Sequence, residues 1–456
     1  MEGREQQSTR DHARKNPLPP SSTRFITKVL SLAERARSIQ SEPLNNLAHL
    51  IDKEWFHEAW KRLRKGAAHG IDAVSSADYE ANLDTHIESL LQCLKQSCYK
   101  APPVKRVYIP KTDGQQRPLG LPTIEDKLLQ RAVGMIVSTV YEQEFLDMSY
   151  GFRSRRNAHQ AIEGVKEAIA TGKVSWIVDA DIRSFFDEMD HDWLMRFVNH
   201  RIKDKSILKL IRGWLKAGVL EDGKLIKSAS GSPQGGVISP VLANIYLHYV
   251  IDLWVTKVVK RHLQGEMYYF RYADDTLFAF QYRQDAIRFM KALRERLSKF
   301  SLRLNEDKTK LCRFGRFAER DRHFYGEKRS TFGFLGFTFY NSISRLRKYK
   351  VGVRTQSKRL GGSMNRVTEW CKANRHQPVT HQVKYLNAVL MGHYHYYGVT
   401  GNFKCVAAFY RHVIKTWHRY LSRRSQRSYI KWDKYNRILE RVKLLKPYLP
   451  HAVSFG

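Results

Sequence analysis

Two stretches in the middle of the chain alternate apolar and polar positions like strands that carry acids to a sheet edge. Trp176-Ile-Val-Asp-Ala-Asp-Ile-Arg-Ser-Phe-Phe-Asp187 sets Asp179 and Asp181 among apolar and β-branched residues, and Phe270-Arg-Tyr-Ala-Asp-Asp-Thr-Leu-Phe278 sets Asp274 and Asp275 between two apolar arms. The second pattern predicts a hairpin with the paired acids at its turn. Side chains alternate faces along a strand, so Asp179 and Asp181 share one, and periodicity does not choose between them. Val237 to Tyr249 is a nearly continuous apolar run that reads as a buried helix, and Phe25 to Ile39 has helical spacing. Lys111 and Arg117 flank a Thr-Asp-Gly-Gln-Gln turn between two predicted strands. Residues 1–44 are otherwise polar, with Asn16-Pro-Leu-Pro-Pro-Ser-Ser-Thr23 read as a loose tail. No repeat of the solenoid type occurs.

The acids bring in chemistry. Gathering carboxylates out of a buried sheet is costly unless cations offset their repulsion. Aspartates that hold Mg²⁺ against phosphates, with two ions clamping both oxygens of an in-line displacement, suit nucleotidyl transfer. Asp187 and Asp190 compete for the same role but read better as turn or helix-capping acids. Pro233-Gln-Gly-Gly236 joins a fixed turn to two residues that let backbone approach a ligand closely. Gln234 there offers both a donor and an acceptor to a base or sugar edge.

Charge points to the same kind of partner. Lys and Arg number 79 against 44 Asp and Glu, a formal net charge of +35. Such an excess is an electrostatic footprint for polyanions. From Asn341 to Gly456 there are 24 Lys and Arg against three acids, Glu369, Asp433 and Glu440, interleaved with aromatics in His393-Tyr-His-Tyr-Tyr397, Trp417-His-Arg-Tyr420 and Tyr429-Ile-Lys-Trp432. Aromatics among cations suit stacking on unpaired bases beside phosphate contacts. Cys93, Cys98, Cys312, Cys371 and Cys405 are scattered and odd in number, which fits a reducing compartment and no structural zinc. No apolar run reaches spanning length and no signal-peptide core is present, so no membrane is expected.

In order along the chain, seven strings resemble the motifs of group II intron-encoded reverse transcriptases and maturases. They are Arg117-Pro-Leu-Gly-Leu-Pro-Thr-Ile-Glu-Asp-Lys127, Ser149-Tyr-Gly-Phe-Arg-Ser-Arg-Arg-Asn-Ala-His-Gln-Ala161, Asp181 to Asp187, Gly231-Ser-Pro-Gln-Gly-Gly-Val237 to Leu247, Tyr272 to Asp275, Leu304-Asn-Glu-Asp-Lys-Thr309 and Phe332-Gly-Phe-Leu-Gly-Phe337. The resemblance runs from about residue 45 to about 440.

What the resemblance implies is an α+β right-hand polymerase. Its fingers, its palm with an antiparallel sheet and its helical thumb would be followed by a helical maturase region. Residues 1–44 would form a polar tail and helix, 45–150 fingers, 151–340 palm, and 341–456 thumb and maturase region. The resemblance favours Asp181, with Asp274 and Asp275, as the catalytic and metal-holding set for two Mg²⁺ ions, with Mn²⁺ as a substitute. Lys111 and Arg117 would grip the triphosphate and Gln234 would meet the nucleotide. Phe186 would lie against the sugar and exclude a 2′-hydroxyl, implying dNTPs. Lys308 would stand near the leaving pyrophosphate. Tyr385 to Asn402 and Leu421 to Arg427 resemble the maturase surface, making Tyr396, Tyr397, Arg423, Arg424 and Arg427 candidates for RNA contact. Expected partners are an intron RNA template, a DNA primer or target and dNTPs, in a bacterial cytoplasmic setting; the oligomeric state, with a dimer as one option, stays open. No Cys-x-x-Cys pair follows the thumb, so the zinc-supported endonuclease of many relatives is expected to be absent. A domesticated relative serving defence or repair, and a polymerase-inactive splicing cofactor, are the alternatives.

Overall fold

The computed structural model describes residues 20–39, 42–110, 116–221, 224–226, 235–318, 330–344, 346–425 and 429–451. Its first helix, Pro20–Ser38, starts on a proline, whose fixed φ suits a first turn. Phe25, Leu32 and Ala36 recur on one face and are buried. That face docks on the helices Lys53–Lys61 and Ile124–Tyr141, with the Phe25 ring 4.9 Å from Trp55. The helix ends against buried Arg201, whose guanidinium donates to the carbonyls of Ala36 (2.6 Å) and Ile39 (2.7 Å). The predicted helix is therefore present and docked.

Among the described residues eleven strands follow: β1 (Val104–Pro110), β2 (Gln116–Leu121), β3 (Trp176–Ala180), β4 (Val219–Glu221), β5 (Lys224–Ile226), β6 (Met267–Tyr272), β7 (Asp275–Phe280), β8 (Lys310–Arg313), β9 (Thr331–Phe334), β10 (Phe337–Ile343) and β11 (Tyr349–Thr355). They form sheets of order β2-β1-β4-β5, β6-β7-β3-β8 and β11-β10-β9. In the first, β1 and β2 are the antiparallel pair expected around Lys111 and Arg117, with Arg117 opposite Ile109. The second is antiparallel throughout, with β3 between β7 and β8. In the third, β9 and β10 are joined by Leu335 and Gly336, both at positive φ (48° and 77°), which matches a hairpin to the strand twist.

One apolar core runs from Phe25 to Leu304, so the helices before residue 150 and the central sheet share a single interior. A second core joins the helix Ala158–Thr171 to the outer face of the central sheet and to β9–β11. The expected border at residues 340 and 341 falls inside β10. A third core belongs to the C-terminal helices Ser357–Ala373, Val379–Tyr397, Phe403–Leu421 and Trp432–Val442, built on Leu386, Leu390, Phe409, Trp417 and Tyr435. Buried Trp417 donates its Nε1–H to Gln382 Oε1 at 2.7 Å, which satisfies the polar edge of the ring inside that core. The fold is α+β with a helical C-terminal part. No helix among the described residues is long and apolar enough to cross a membrane.

Candidate active site

The paired acids sit where the alternation put them. Strands β6 and β7 close on Tyr272 opposite Asp275, leaving Ala273 and Asp274 as a two-residue turn. Ala273 takes φ +56°, a left-handed conformation that costs an L-residue roughly 1 kcal/mol and persists only where neighbours enforce it. Its neighbours supply that constraint. Gly151 lies so close that a β-carbon there would stand 2.3 Å from the Ala273 nitrogen. Its carbonyl accepts from Asn244 Nδ2 at 2.7 Å, and Asn244 Oδ1 accepts from Arg271 Nη1 at 2.8 Å. Arg271 Nη1 also donates to the Ala273 carbonyl at 3.1 Å.

Arg271 is fully buried and paired with Asp252, which receives Nε at 2.8 Å and Nη2 at 2.6 Å. Tyr269 adds its hydroxyl to Asp252 Oδ1 at 2.8 Å. Burial works to raise the Asp252 carboxyl; the Arg271 charge and hydrogen bonds, with His248 Nδ1 3.8 Å away, outweigh it and hold the group at about 2. Asp252 ends a π-helical turn, His248–Asp252, that extends the helix Ser239–Leu247. The apolar run predicted from Val237 to Tyr249 is thus the element that holds the acidic turn.

The register of β3 brings Asp181 to the same place. Asp179 pairs with Leu277 and Ala180 with Thr276, so the next residue, Asp181, comes level with Asp275. Asp181 Oδ2 accepts from Asn305 Nδ2 at 2.9 Å and lies 3.7 Å from Lys308 Nζ. The carboxylates feel one another. Asp275 is exposed at the cavity wall, yet the surrounding protein withholds water, and with repulsion from Asp274 and Asp181 this pushes it up to about 6. Burial and Asp181 also raise Asp274, against the charges of Arg117 and Arg271. Asp179 is pushed up to about 7 by burial and by Asp275 and Asp181, with Lys310 opposing. Both acids of the β3 segment therefore face the site, and Asp181 is the one with cationic and amide partners beside the turn.

Asp179, Asp181 and Asp275 line an open cavity of about 650 Å³ whose other walls include Lys308, the Leu335-Gly336 turn, Gln356, Arg359, Tyr396 and Tyr397. The tyrosines belong to the C-terminal helices; Tyr396 donates its hydroxyl to the Leu335 carbonyl at 3.0 Å. The structure brings these two RNA-contact candidates to the carboxylate-lined cavity. Arg423 is exposed, whereas Arg424 donates to the carbonyls of Arg375 (2.7 Å) and Gln377 (2.8 Å). Phe186 is half-buried against Phe185, with ring centroids 5.2 Å apart. Lys111, Gln234 and Arg427 lie outside the described residues. Asp190 caps the helix His191–Arg201, its Oδ1 accepting from the Trp193 N–H at 2.9 Å, as the capping reading expects.

Sequence reasoning missed Arg271, Asp252, Asn244 and Gly151. A signal was available for the first: a cation in the middle of an apolar strand needs a buried partner. Asn305 and Arg359 were also passed over.

The donor chemistry fits divalent metal ions: three carboxylates gathered by the turn, two of them raised by burial and by neighbouring acids, are what hard cations such as Mg²⁺ and Mn²⁺ relieve. Among the described residues no three acid, histidine or cysteine donors stand ready-grouped around one point.

The chain is similar to several known proteins. The family profile described as "Reverse transcriptase (RNA-dependent DNA polymerase)" matches residues 109–339. Group II intron-encoded protein LtrA of Lactococcus lactis subsp. cremoris is 38% identical over 201 residues, 44% of this chain and 33% of that protein. Protein YkfC of Escherichia coli (strain K12) is 33% identical over 342 residues, 65% of this chain and 89% of that protein. Nuclear intron maturase 3, mitochondrial, of Arabidopsis thaliana is 30% identical over 129 residues, 28% of this chain and 18% of that protein. The matched part of the chain thus spans a third of LtrA.

Proposed function

Because this chain belongs to the reverse transcriptase family, we propose that it is an RNA-directed DNA polymerase of the group II intron-encoded kind. On this reading it also binds intron RNA as a maturase and assists splicing and retrohoming. The observation that carries the polymerase reading is the meeting of Asp181 with the Asp274-Asp275 turn, where its charge, from more than 90 residues upstream, adds to the rise that burial gives Asp274 and Asp275.

The chain's own residues then divide the work. Asp181 and Asp274, with Asp275 assisting, would hold two Mg²⁺ ions. When bound, such ions polarise the α-phosphate and stabilise the attacking and leaving oxygens of an in-line displacement. Arg117, whose charge reaches Asp274, orients the triphosphate together with Lys111. Lys308, beside Asp181, faces the pyrophosphate side. Gln234 meets the nucleotide, and Phe186 selects deoxyribose by bulk. Tyr396, Tyr397 and Arg359 share the cavity and guide the nucleic acid toward the carboxylates.

The right-hand division follows, with fingers at 45–150, palm at 151–340 and thumb with maturase region at 341–456. The basic C-terminal part would contact structured intron RNA through residues such as Arg423 and Arg427. The RNA supplies the splicing chemistry; the protein stabilises its active fold. Primer, dNTPs and RNA template are the substrates, and a bacterial cytoplasmic, nucleic-acid-associated setting suits them. Primer extension with dNTPs on an RNA template tests the reading, comparing wild type with Asp274→Asn in Mg²⁺. Extension by wild type alone, with RNA binding retained in both, supports it. RNA binding without extension by folded wild type turns the reading toward an inactive splicing cofactor.

A further inference from the structure

Helix Lys205–Lys216 breaks a rule that its surroundings obey. Its apolar positions Ile207, Ile211, Trp214 and Leu215 are buried, and its sequence contains no acid. Lys205, Lys209, Arg212 and Lys216 fall at i, i+4, i+7 and i+11, all exposed, so four like charges run along one face. Like charges at these spacings destabilise a helix, and a lysine in the first turn opposes the macrodipole. The neighbouring N-terminal helices behave differently. There Lys28 pairs with Asp52, Lys53 with Asp84 and Glu88, Arg62 with Glu58, and Lys65 with Glu80.

The stripe forms one wall of an open groove of about 810 Å³, and the helix His191–Arg201 forms the other. That second wall adds exposed Arg196 and Asn199, with Asp192 as the one acid. Among the described residues none of the five cations is in an ion pair with a carboxylate. Lys209 Nζ donates to the Ser97 carbonyl at 3.0 Å, and the Arg196 guanidinium lies over the Trp193 ring at 4.9 Å. No lining residue is shared with the carboxylate cavity.

From this placement we infer that the groove between helices His191–Arg201 and Lys205–Lys216 is a docking site for the phosphate backbone of base-paired RNA. Three features select that occupant. Eleven steps of 1.5 Å from Lys205 to Lys216 make the stripe roughly 16 Å long, enough to face about five phosphates of one strand. No aromatic lines the groove, so it offers no platform for unpaired bases and reads backbone alone. Asn199 brings a donor and an acceptor together, which a 2′-hydroxyl can satisfy and a deoxyribose cannot. The inference rests on the RNA-binding reading above and adds a second contact surface, away from the C-terminal helices. A structured RNA could then be held here and copied or spliced elsewhere on the protein.

The test uses the full chain, wild type and a Lys205→Gln/Lys209→Gln/Arg212→Gln/Lys216→Gln variant. A labelled RNA hairpin with a stem of about 20 base pairs, the DNA duplex of the same sequence and an unpaired RNA are titrated over a range of KCl. Melting temperature and primer extension on an unstructured RNA template are recorded alongside. The expected result is hairpin binding weakened at least about tenfold. The slope of log affinity against log salt should also shrink by about 3, at nearly one per lost phosphate contact. Extension should stay within about twofold, because none of the four residues lines the carboxylate cavity. Removing only Lys209 and Arg212 should give an intermediate loss, which keeps the test valid if the fourfold variant melts early. A Lys205→Arg/Lys209→Arg/Lys216→Arg variant should bind like wild type. Unchanged hairpin affinity and slope, or DNA duplex binding as tight and as sensitive as RNA, overturns the inference. Failure of wild type to extend primers, with the groove effect intact, counts against the polymerase reading and leaves the groove standing.

Discussion

Arg271 and Asp252 form a fully buried pair, Nη2 to Oδ2 2.6 Å, directly behind the turn that presents Asp274 and Asp275. The pair ties strand β6 to the helix that follows the Gly235-Gly236 segment. Through Asn244 it reaches the Gly151 backbone on which the turn rests. The acidic turn is therefore positioned from behind by a polar network, and its strained Ala273 is held there rather than relaxed.

Breaking that pair should be severe. Removing one partner of a buried ion pair leaves an uncompensated charge, so Arg271→Met or Asp252→Leu should each lose about 3–5 kcal/mol in urea unfolding. Arg271→Lys keeps the charge but not the fork, and should lose less while still lowering primer extension. The pH dependence has a definite sign. Asp252 is held at about 2 in the folded chain against an ordinary 3.8. Its contribution is present above about 4 and lost as pH falls toward 2. Asp252→Asn should flatten the stability profile across that window, and an unchanged profile would contradict the pairing.

Gly151→Ala should act on the same turn from the other side. The added β-carbon meets backbone of Tyr272 and Ala273, which cannot rotate away. A loss of about 2 kcal/mol and a marked fall in extension are expected. Gly361→Ala, where nothing lies within 4 Å, is the control and should leave unfolding and extension near wild type. Equal behaviour of the two variants would refute the close approach.

Mutual repulsion among the acids predicts a trade between stability and activity. Asp275 has a raised pKa, so its charged form is disfavoured in the fold at pH 8. Asp275→Asn should raise the melting temperature measured in EDTA and abolish most extension. Mg²⁺ should raise the melting temperature of wild type more than that of the Asp274→Asn/Asp275→Asn protein, because binding to the folded state stabilises it. Equal Mg²⁺ shifts in both proteins would argue that the ions bind elsewhere.

Asp275, rather than Asp179, should set the acid side of the pH–rate profile. The Asp179 carboxyl is pushed up to about 7 by burial and by the charges of Asp275 and Asp181, so it takes up its proton before Asp275 does. Protonation of Asp275 removes a needed charge, so activity should fall as pH drops toward 6, higher than for an ordinary carboxylate. In Asp179→Asn the fall should therefore stay near pH 6 with the plateau retained. Loss of the plateau itself would make Asp179 a direct participant.

The sequence by itself determined the local elements and the identities of the acids. The hairpin around Asp274, the β3 segment ending at Asp181, the paired strands flanking Arg117 and the helix from Phe25 were legible. Periodicity and turn chemistry act over a few residues, and the ordered motifs carry the resemblance. What only the tertiary structure decided lies across long separations. Alternation cannot say that Arg271 points at Asp252, because a π-helical turn sets the aim of Asp252. Nor can it say that Tyr396 and Tyr397 close the cavity beside Asp275, since a hydrogen bond to Leu335 seats Tyr396 61 residues away. It left Asp179 and Asp181 equivalent. Their difference arose from what the fold set beside them: Asn305 and Lys308 against Asp181, and Lys310 opposing the rise of Asp179. Local sequence sets which way a side chain leaves the backbone; burial and the charges that meet it are set by packing, which no short window contains.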